Sequence, residues 1–78
     1  MNMLEKLTPA EKRFGMIAIE KGFITKELLT DALKEQVDEE VDQGIHRFIG
    51  AILVQKKAID TKQLRTVIMA LGLGQGNE

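Results

Sequence analysis

The chain has 78 residues, a formal net charge of −1, 29% charged side chains and no cysteine. A chain this short forms one domain that buries only about 60% of its unfolded surface, so a partner or self-association would add stability. The lack of cysteine excludes disulfides and thiolate chemistry, and the lack of a long apolar run predicts no membrane insertion and no secretory signal, so we expect a cytoplasmic protein.

Charge is distributed unevenly along the chain. Residues 1–44 carry six basic and ten acidic side chains, a balance of −4, whereas residues 45–78 carry five basic and two acidic ones, a balance of +3. The acidic excess is concentrated in residues 37–42, VDEEVD. Oppositely charged halves favour head-to-tail contact with another copy or with a partner, although a solvated helix face is the simpler interpretation.

The first predicted helix begins at the sequence TPAE. Thr8 can cap the helix, Pro9 suits the first helical position, and Glu11 can close a capping box. Apolar residues then recur at helical spacing, and Gly22 is a natural stop. The pattern predicts a helix over residues 9–21.

The second predicted helix has a polar residue within its apolar stripe. Thr25 caps this helix, which is predicted over residues 26–43 and ends at Gly44. The polar residue is Gln36, and an amide at a core position needs a hydrogen-bonding partner. Two interpretations are open: Gln36 bonds to a neighbouring backbone group or reaches solvent, or it contacts a ligand.

The second half of the chain predicts two more helices. The third is expected over residues 46–57, and the fourth, capped by Asp60, over residues 61–71 with a stop at Gly72. Residues 72–78 are expected to form a flexible tail. Since no convincing strand pattern occurs, the predicted fold class is all-α, with four helices arranged as two pseudo-repeated helical hairpins in a single domain.

The two halves match when the chain is shifted by 35 residues. The matched pairs are Gly15 with Gly50, Ile19 with Val54, Ile24 with Ile59, Thr25 with Asp60, Leu29 with Leu64, and Leu33 with Ile68. The first unit covers residues 13–36 and the second covers residues 48–71, with residues 37–46 as a linker. Because a glycine recurs at the same site, we expect another backbone or a ligand to approach closely there.

The first unit carries the pattern R-F-G-x-x-A-I-x-x-G-F-I-x-x-x-x-L-x-x-x-L-x-x-Q, which resembles the repeated motif of the MshEN domain. That domain is the N-terminal regulatory module of type II secretion and type IV pilus assembly ATPases. In the family, two motifs in tandem bind cyclic di-GMP, and related copies mediate protein contacts within bacterial secretion machinery. In the second unit, Phe48, Lys57 and Leu71 stand in place of the arginine, the second glycine and the final glutamine.

The resemblance implies ten ligand contacts. They are Arg13, Phe14, Gly15, Leu29, Leu33 and Gln36 in the first unit, and Ile49, Gly50, Leu64 and Ile68 in the second. Arginine can stack on a guanine or pair with a phosphate, and a glutamine amide can donate to and accept from a base edge. The expected function is a regulatory binding module, a cyclic di-GMP sensor with a weakened second half-site.

Catalytic chemistry has little support in the sequence. There is no serine, His46 is the only histidine, and the acidic cluster lacks the pattern of a calcium loop. The sequence GLGQG ends the chain without a following helix, unlike a phosphate-binding loop. We therefore expect a protein that is not an enzyme and that has no metal and no cofactor.

The sequence leaves two other functions open. The first is a protein–protein adaptor of secretion or pilus machinery that binds no nucleotide and acts with a protein partner or as a homo-oligomer. The second is a helix-turn-helix DNA binder that contacts phosphate through Lys56, Lys57, Lys62 and Arg65. Four cations on a domain of net charge −1 are a weak nucleic-acid footprint, so the second is disfavoured.

Overall fold

The computed structural model describes residues 7–76, and the side chains of residues 7–72. The chain forms four helices: α1 (Pro9–Glu20), α2 (Lys26–Gln43), α3 (Ile49–Gln55) and α4 (Thr61–Gly76). Since residues 7–76 contain no strand, the prediction of an all-α fold of four helices is confirmed. Within the described part of the chain, no helix is long and apolar enough to cross a membrane.

The start of α1 is the capping box expected from the sequence. The Thr8 hydroxyl accepts a hydrogen bond from the Glu11 N–H at 3.2 Å, and Glu11 Oε1 accepts one from the Thr8 N–H at 3.1 Å. Pro9 occupies the first turn, where its missing N–H costs nothing. These bonds satisfy backbone groups that a helix start otherwise leaves unpaired.

The predicted caps of α2 and α4 are also present. The Thr25 hydroxyl accepts from the Leu28 N–H at 3.1 Å, and α2 ends at Gly44, which has a left-handed φ of 69°. Before α4, Asp60 Oδ1 accepts from the Gln63 N–H at 2.7 Å, and Gln63 Oε1 accepts from the Asp60 N–H at 3.1 Å. Helix α2 covers residues 26–43, so its predicted bounds are confirmed.

Helix α3 is shorter than predicted. It begins at Ile49 instead of residue 46, and ends at Gln55 instead of residue 57. Phe48 is extended, with ψ of 137°, and the Arg47 carbonyl accepts a hydrogen bond from the Gln36 side chain at 2.7 Å. Because the Arg47 carbonyl bonds to a side chain of α2 and the Ile49 N–H bonds to Glu11 of α1, the helix begins only at Ile49.

Helix α4 is longer than predicted. It continues through Gly72 to Gly76, so the predicted stop is wrong and the helix includes residues 72–76 of the expected tail. Gly72 does not adopt the left-handed conformation with which a glycine ends a helix. It costs about 1 kcal/mol relative to alanine but leaves the helix intact. The rest of the predicted tail, residues 77–78, lies outside the described residues.

The turns that follow α1 and α3 share one geometry. Gly22 has a φ of 77° and Lys57, which occupies the matching position, has a φ of 64°. Each turn closes with an N–H to carbonyl bond of 2.9 Å, from Phe23 to Ala18 and from Ala58 to Leu53. A lysine adopts the left-handed conformation at a cost of about 1–2 kcal/mol, which a glycine avoids.

The helices pack mainly across the two units. Helix α1 packs on α4 and α3, and α2 packs on α3, so contacts within the first hairpin are fewer than contacts with the second. The core is formed by Leu7, Phe14, Ala18, Ile24, Leu29, Ala32, Leu33, Ile49, Ile52, Leu53, Ile59 and Val67. The four helices therefore share one core.

Candidate functional site

Most residues that the family motif assigns to a ligand lie inside the core. The buried ones are Phe14, Gly15, Leu29, Leu33, Gln36, Ile49 and Gly50. Leu64 is partly buried, Arg13 is exposed, and Ile68 is 45% exposed. In this conformation a ligand can reach only the last three directly.

Side chains of other residues pack closely against the two repeated glycines. A Cβ atom at Gly15 would lie 2.9 Å from Leu29 Cδ2, and one at Gly50 would lie 2.9 Å from both Leu64 Cδ1 and Phe14 Cζ. The expected close approach is therefore present, and the approaching groups are leucine and phenylalanine side chains. The structure brings Gly15 together with Leu29, and Gly50 together with Leu64 and Phe14.

Gln36 is held by hydrogen bonds within the protein. Its side chain is fully buried, and its Nε2 donates to Glu11 Oε2 at 2.9 Å and to the Arg47 carbonyl at 2.7 Å. Its Oε1 is buried without a hydrogen-bond partner among the described residues. The bond to Arg47 matches the first of the two interpretations, in which the amide bonds to neighbouring backbone.

A buried carboxylate stands at the centre of this region. Glu11 is 1% exposed, and its Oε1 accepts from the Thr8 hydroxyl at 3.2 Å and lies 3.1 Å from His46 Nε2. Its Oε2 accepts from the Ile49 N–H at 2.8 Å, in addition to the bond from Gln36. We call this group (Thr8, Glu11, Gln36, His46 and the Ile49 N–H) the Glu11 cluster. It ties α1, α2 and the start of α3 together.

The Glu11 cluster shifts two pKa values in opposite directions. Burial raises the pKa of Glu11, but hydrogen bonds from the Thr8 and Ile49 backbone, His46 and Gln36 outweigh it, so the pKa falls below its ordinary value. Burial lowers the pKa of His46, but its hydrogen bonds to and charge attraction by Glu11 and Glu40 raise it above the ordinary value. Both shifts favour a charged pair, Glu11 with protonated His46.

Arg47 links the segment before α3 to α2. Its guanidinium donates to the two oxygens of Glu39 at 2.9 and 2.6 Å, and to Gln55 Oε1 at 2.5 Å. The hydrogen bond and charge of Glu39 raise the pKa of Arg47, and those of Arg47 lower the pKa of Glu39. Arg47 adjoins Phe48, which stands at the motif's arginine position, but its side chain is bound to acidic residues of this chain.

An apolar groove lies between α1 and the first turns of α2. It has a volume of about 430 Å³ and is lined by Leu7, Lys12, Met16, Ile19, Lys26, Leu29 and Thr30. We call it the α1–α2 groove. Leu7 and Leu29 are nearly buried, whereas Met16 is 63% exposed. The lining is therefore apolar, with an ammonium group from each helix.

A second hollow of about 520 Å³ lies beside the turn between α3 and α4. It is lined by Val54, Lys57, Ala58, Ile59, Asp60, Thr61 and Gln63. Its polar residues include Asp60 and Gln63, whose side chains already cap α4. No group of three or more His, Asp or Glu side chains suited to a metal ion occurs among the described residues.

Sequence reasoning missed both the Glu11 cluster and the α1–α2 groove. It assigned Glu11 to a capping box only, although a shift of 35 residues aligns Glu11 with His46 and so pairs an acid with a base. Met16 offered a second signal, because it is a large apolar residue outside the buried stripe of α1. Lys12 and Lys26 carried no distinct sequence signal.

No protein-family model, curated protein or solved structure matches the chain. The class that the structure defines is thus an all-α domain of four helices with one shared core. The likeness to the MshEN motif remains an expectation from the sequence.

Proposed function

We propose that this chain is a non-enzymatic regulatory module of the cytoplasm that binds a protein through the α1–α2 groove. The observation that carries the proposal is the groove itself, an apolar hollow with Met16 63% exposed. Exposed apolar surface next to polar groups marks interaction sites, because covering it with a partner removes it from water. An adaptor of this kind agrees with the family copies that mediate protein contacts.

The groove also indicates the chemistry of its partner. Its side walls are two helices, a shape that suits an amphipathic helix laid along them. Lys12 and Lys26 supply positive charge beside the apolar floor, so carboxylates next to the apolar residue would complement them. The expected ligand is a helix with an apolar residue between acidic residues.

Selection of displayed peptides against the purified domain tests this proposal. We expect the selected peptides to carry an apolar residue flanked by Asp or Glu, and to bind at least tenfold more weakly to Met16→Glu. Met69→Glu is the matched control, because Met69 is 57% exposed on α4, away from the groove, and its replacement should leave binding unchanged. Failure to select a peptide, or equal binding to Met16→Glu, would overturn the proposal.

A cyclic di-GMP sensor is the second candidate function. It is favoured by Arg13, which is exposed and has neither a hydrogen bond nor an ion pair among the described residues. A guanidinium in this state is available for a guanine or a phosphate. For Gln36 to take part, its bonds to Glu11 and Arg47 would first have to break, which would reduce affinity.

Calorimetric titration with cyclic di-GMP separates the two functions. If the domain is a sensor, titration of the wild-type protein with cyclic di-GMP gives a binding heat, and titration of Arg13→Ala does not. If it is only a protein-binding module, neither protein gives heat or amide shifts at about 1 mM ligand, a concentration that reveals even weak binding.

A further inference from the structure

The end of α2 packs on the molecule along one side only, through Val37, Glu39 and Glu40. Residues 37–43 contain no buried side chain, although this segment is a regular part of the helix. Val41 is 77% exposed, more than any other large apolar side chain of the described residues. Single exposed apolar residues are common on protein surfaces, so Val41 is informative only together with the charges around it.

The charges around Val41 are of two kinds. Glu35, Glu39 and Glu40 lie within 4 Å of cationic or imidazole groups of the same molecule, namely Lys56, Arg47 and His46. Asp38 and Asp42 have no such partner among the described residues.

In a helix, residues three and four apart share a face, and residues 38, 41 and 42 therefore lie together. The face presents one apolar side chain beside two carboxylates that have no ion-pair partner among the described residues.

This face is the chemical complement of the α1–α2 groove. The groove supplies an apolar floor with Lys12 and Lys26, and the α2 end supplies Val41 with Asp38 and Asp42. One molecule cannot join the two, because Lys26 and Val41 lie on the same straight helix about 22 Å apart at 1.5 Å per residue. The match is therefore available only between molecules.

We propose that the occupant of the α1–α2 groove is the end of α2 from a second copy of this chain. This inference rests on the proposed function and names its partner. The two surfaces differ, so two molecules either make the contact twice in a closed two-fold dimer, or make it once, head-to-tail, and leave a fresh groove and a fresh α2 end for the next molecule. Growth continues into a filament unless the rotation between copies closes a ring.

Mixing two variants tests this arrangement. Met16→Glu blocks the groove and Val41→Asp blocks the α2 end, and both positions are exposed, so each variant should keep the wild-type melting temperature. By sedimentation equilibrium up to about 1 mM, the wild type should form a dimer or a larger species, and each variant alone should be weakened to a monomer. An equal mixture should form a dimer and nothing larger, since only one groove and one α2 end remain intact.

The controls make the result specific. Met69→Glu should associate like the wild type, and higher salt should weaken association because charges take part. A monomeric wild type, a mixture that stays monomeric, or a Met16→Glu or Val41→Asp variant that associates as strongly as the wild type would each overturn the contact between the groove and the α2 end.

If the wild type is monomeric but selected peptides bind the groove, the self-association fails and the proposed function stands. If selected peptides also fail to bind, both fail.

Discussion

At the scale of single residues, Glu11 combines a local role with a long-range one. Its backbone and one oxygen form the capping box of α1, and its other oxygen accepts hydrogen bonds from Gln36 and from the start of α3. A buried carboxylate is tolerated only when its lone pairs are satisfied, as they are here. The cluster therefore connects three helices through one side chain.

Replacing Glu11 with glutamine should destabilise the domain. An amide offers one accepting oxygen, so the donors on one side of the carboxylate would face an NH₂ group and lose their acceptor. A buried donor without a partner costs about 1–3 kcal/mol, and we expect a loss of that size in the free energy of unfolding.

Urea denaturation of Glu11→Gln measures this loss. Glu20→Gln is the matched control, because Glu20 is an exposed glutamate at the other end of α1. Equal stability of Glu11→Gln and the wild type would show that the buried carboxylate does not hold the three helices.

The Glu11–His46 pair should make stability depend on pH. The pKa of Glu11 lies below 4.5, so its contribution is complete above pH 4.5 and is lost as the pH falls through the lowered value. The pKa of His46 lies above 6.5, so its contribution is complete below pH 6.5 and is lost as the pH rises through the raised value. We expect the pair to contribute most between these two limits.

Melting temperatures across the pH range check this expectation. The variant His46→Gln cannot titrate, so it should lose the decline on the alkaline side and keep the one on the acidic side. An alkaline decline of the same size in the variant would show that His46 is not its source.

At the scale of helices, the two repeated glycines should respond differently to substitution. At Gly15 an added Cβ meets only the flexible end of Leu29, whereas at Gly50 it meets Leu64 and the rings of Phe14 and Phe48. The two rings already pack edge to face, with centroids 5.4 Å apart. We expect Gly50→Ala to cost about 1–3 kcal/mol and Gly15→Ala to cost less, because Leu29 can shift and alanine favours the helix.

Thermal unfolding of the two alanine variants makes the comparison. The outcome that contradicts it is equal stability of Gly50→Ala and the wild type, or a greater loss at Gly15.

How well a helix boundary could be predicted depends on whether residues nearby or far away in the sequence determine it. The caps at Thr8, Thr25 and Asp60 were predicted correctly, because a capping box is formed by residues that are neighbours in the sequence. The start of α3 was predicted too early, because the extended segment before it is held by Gln36 and Glu11 from distant positions. The end of α4 was predicted too early because glycine permits a left-handed stop without requiring one.

At the scale of the whole molecule, the candidate site was the least predictable part. The α1–α2 groove exists because α1 and α2 pack on α3 and α4 more than on each other and leave Met16 uncovered, and this choice of packing partners has no signature in a single sequence. The charge imbalance between the two halves was readable and suggested head-to-tail contact. The two lysines of the groove could not be predicted from this imbalance, because Lys12 and Lys26 belong to the acidic half of the chain.

The most direct test of protein binding at the α1–α2 groove is a map of amide shifts in the labelled domain as a groove-binding peptide is added. We expect the largest shifts at Lys12, Met16, Lys26 and Thr30, which line the groove, with little change along α4. Large shifts confined to α4, with none along the groove, would contradict binding there and place the functional surface elsewhere.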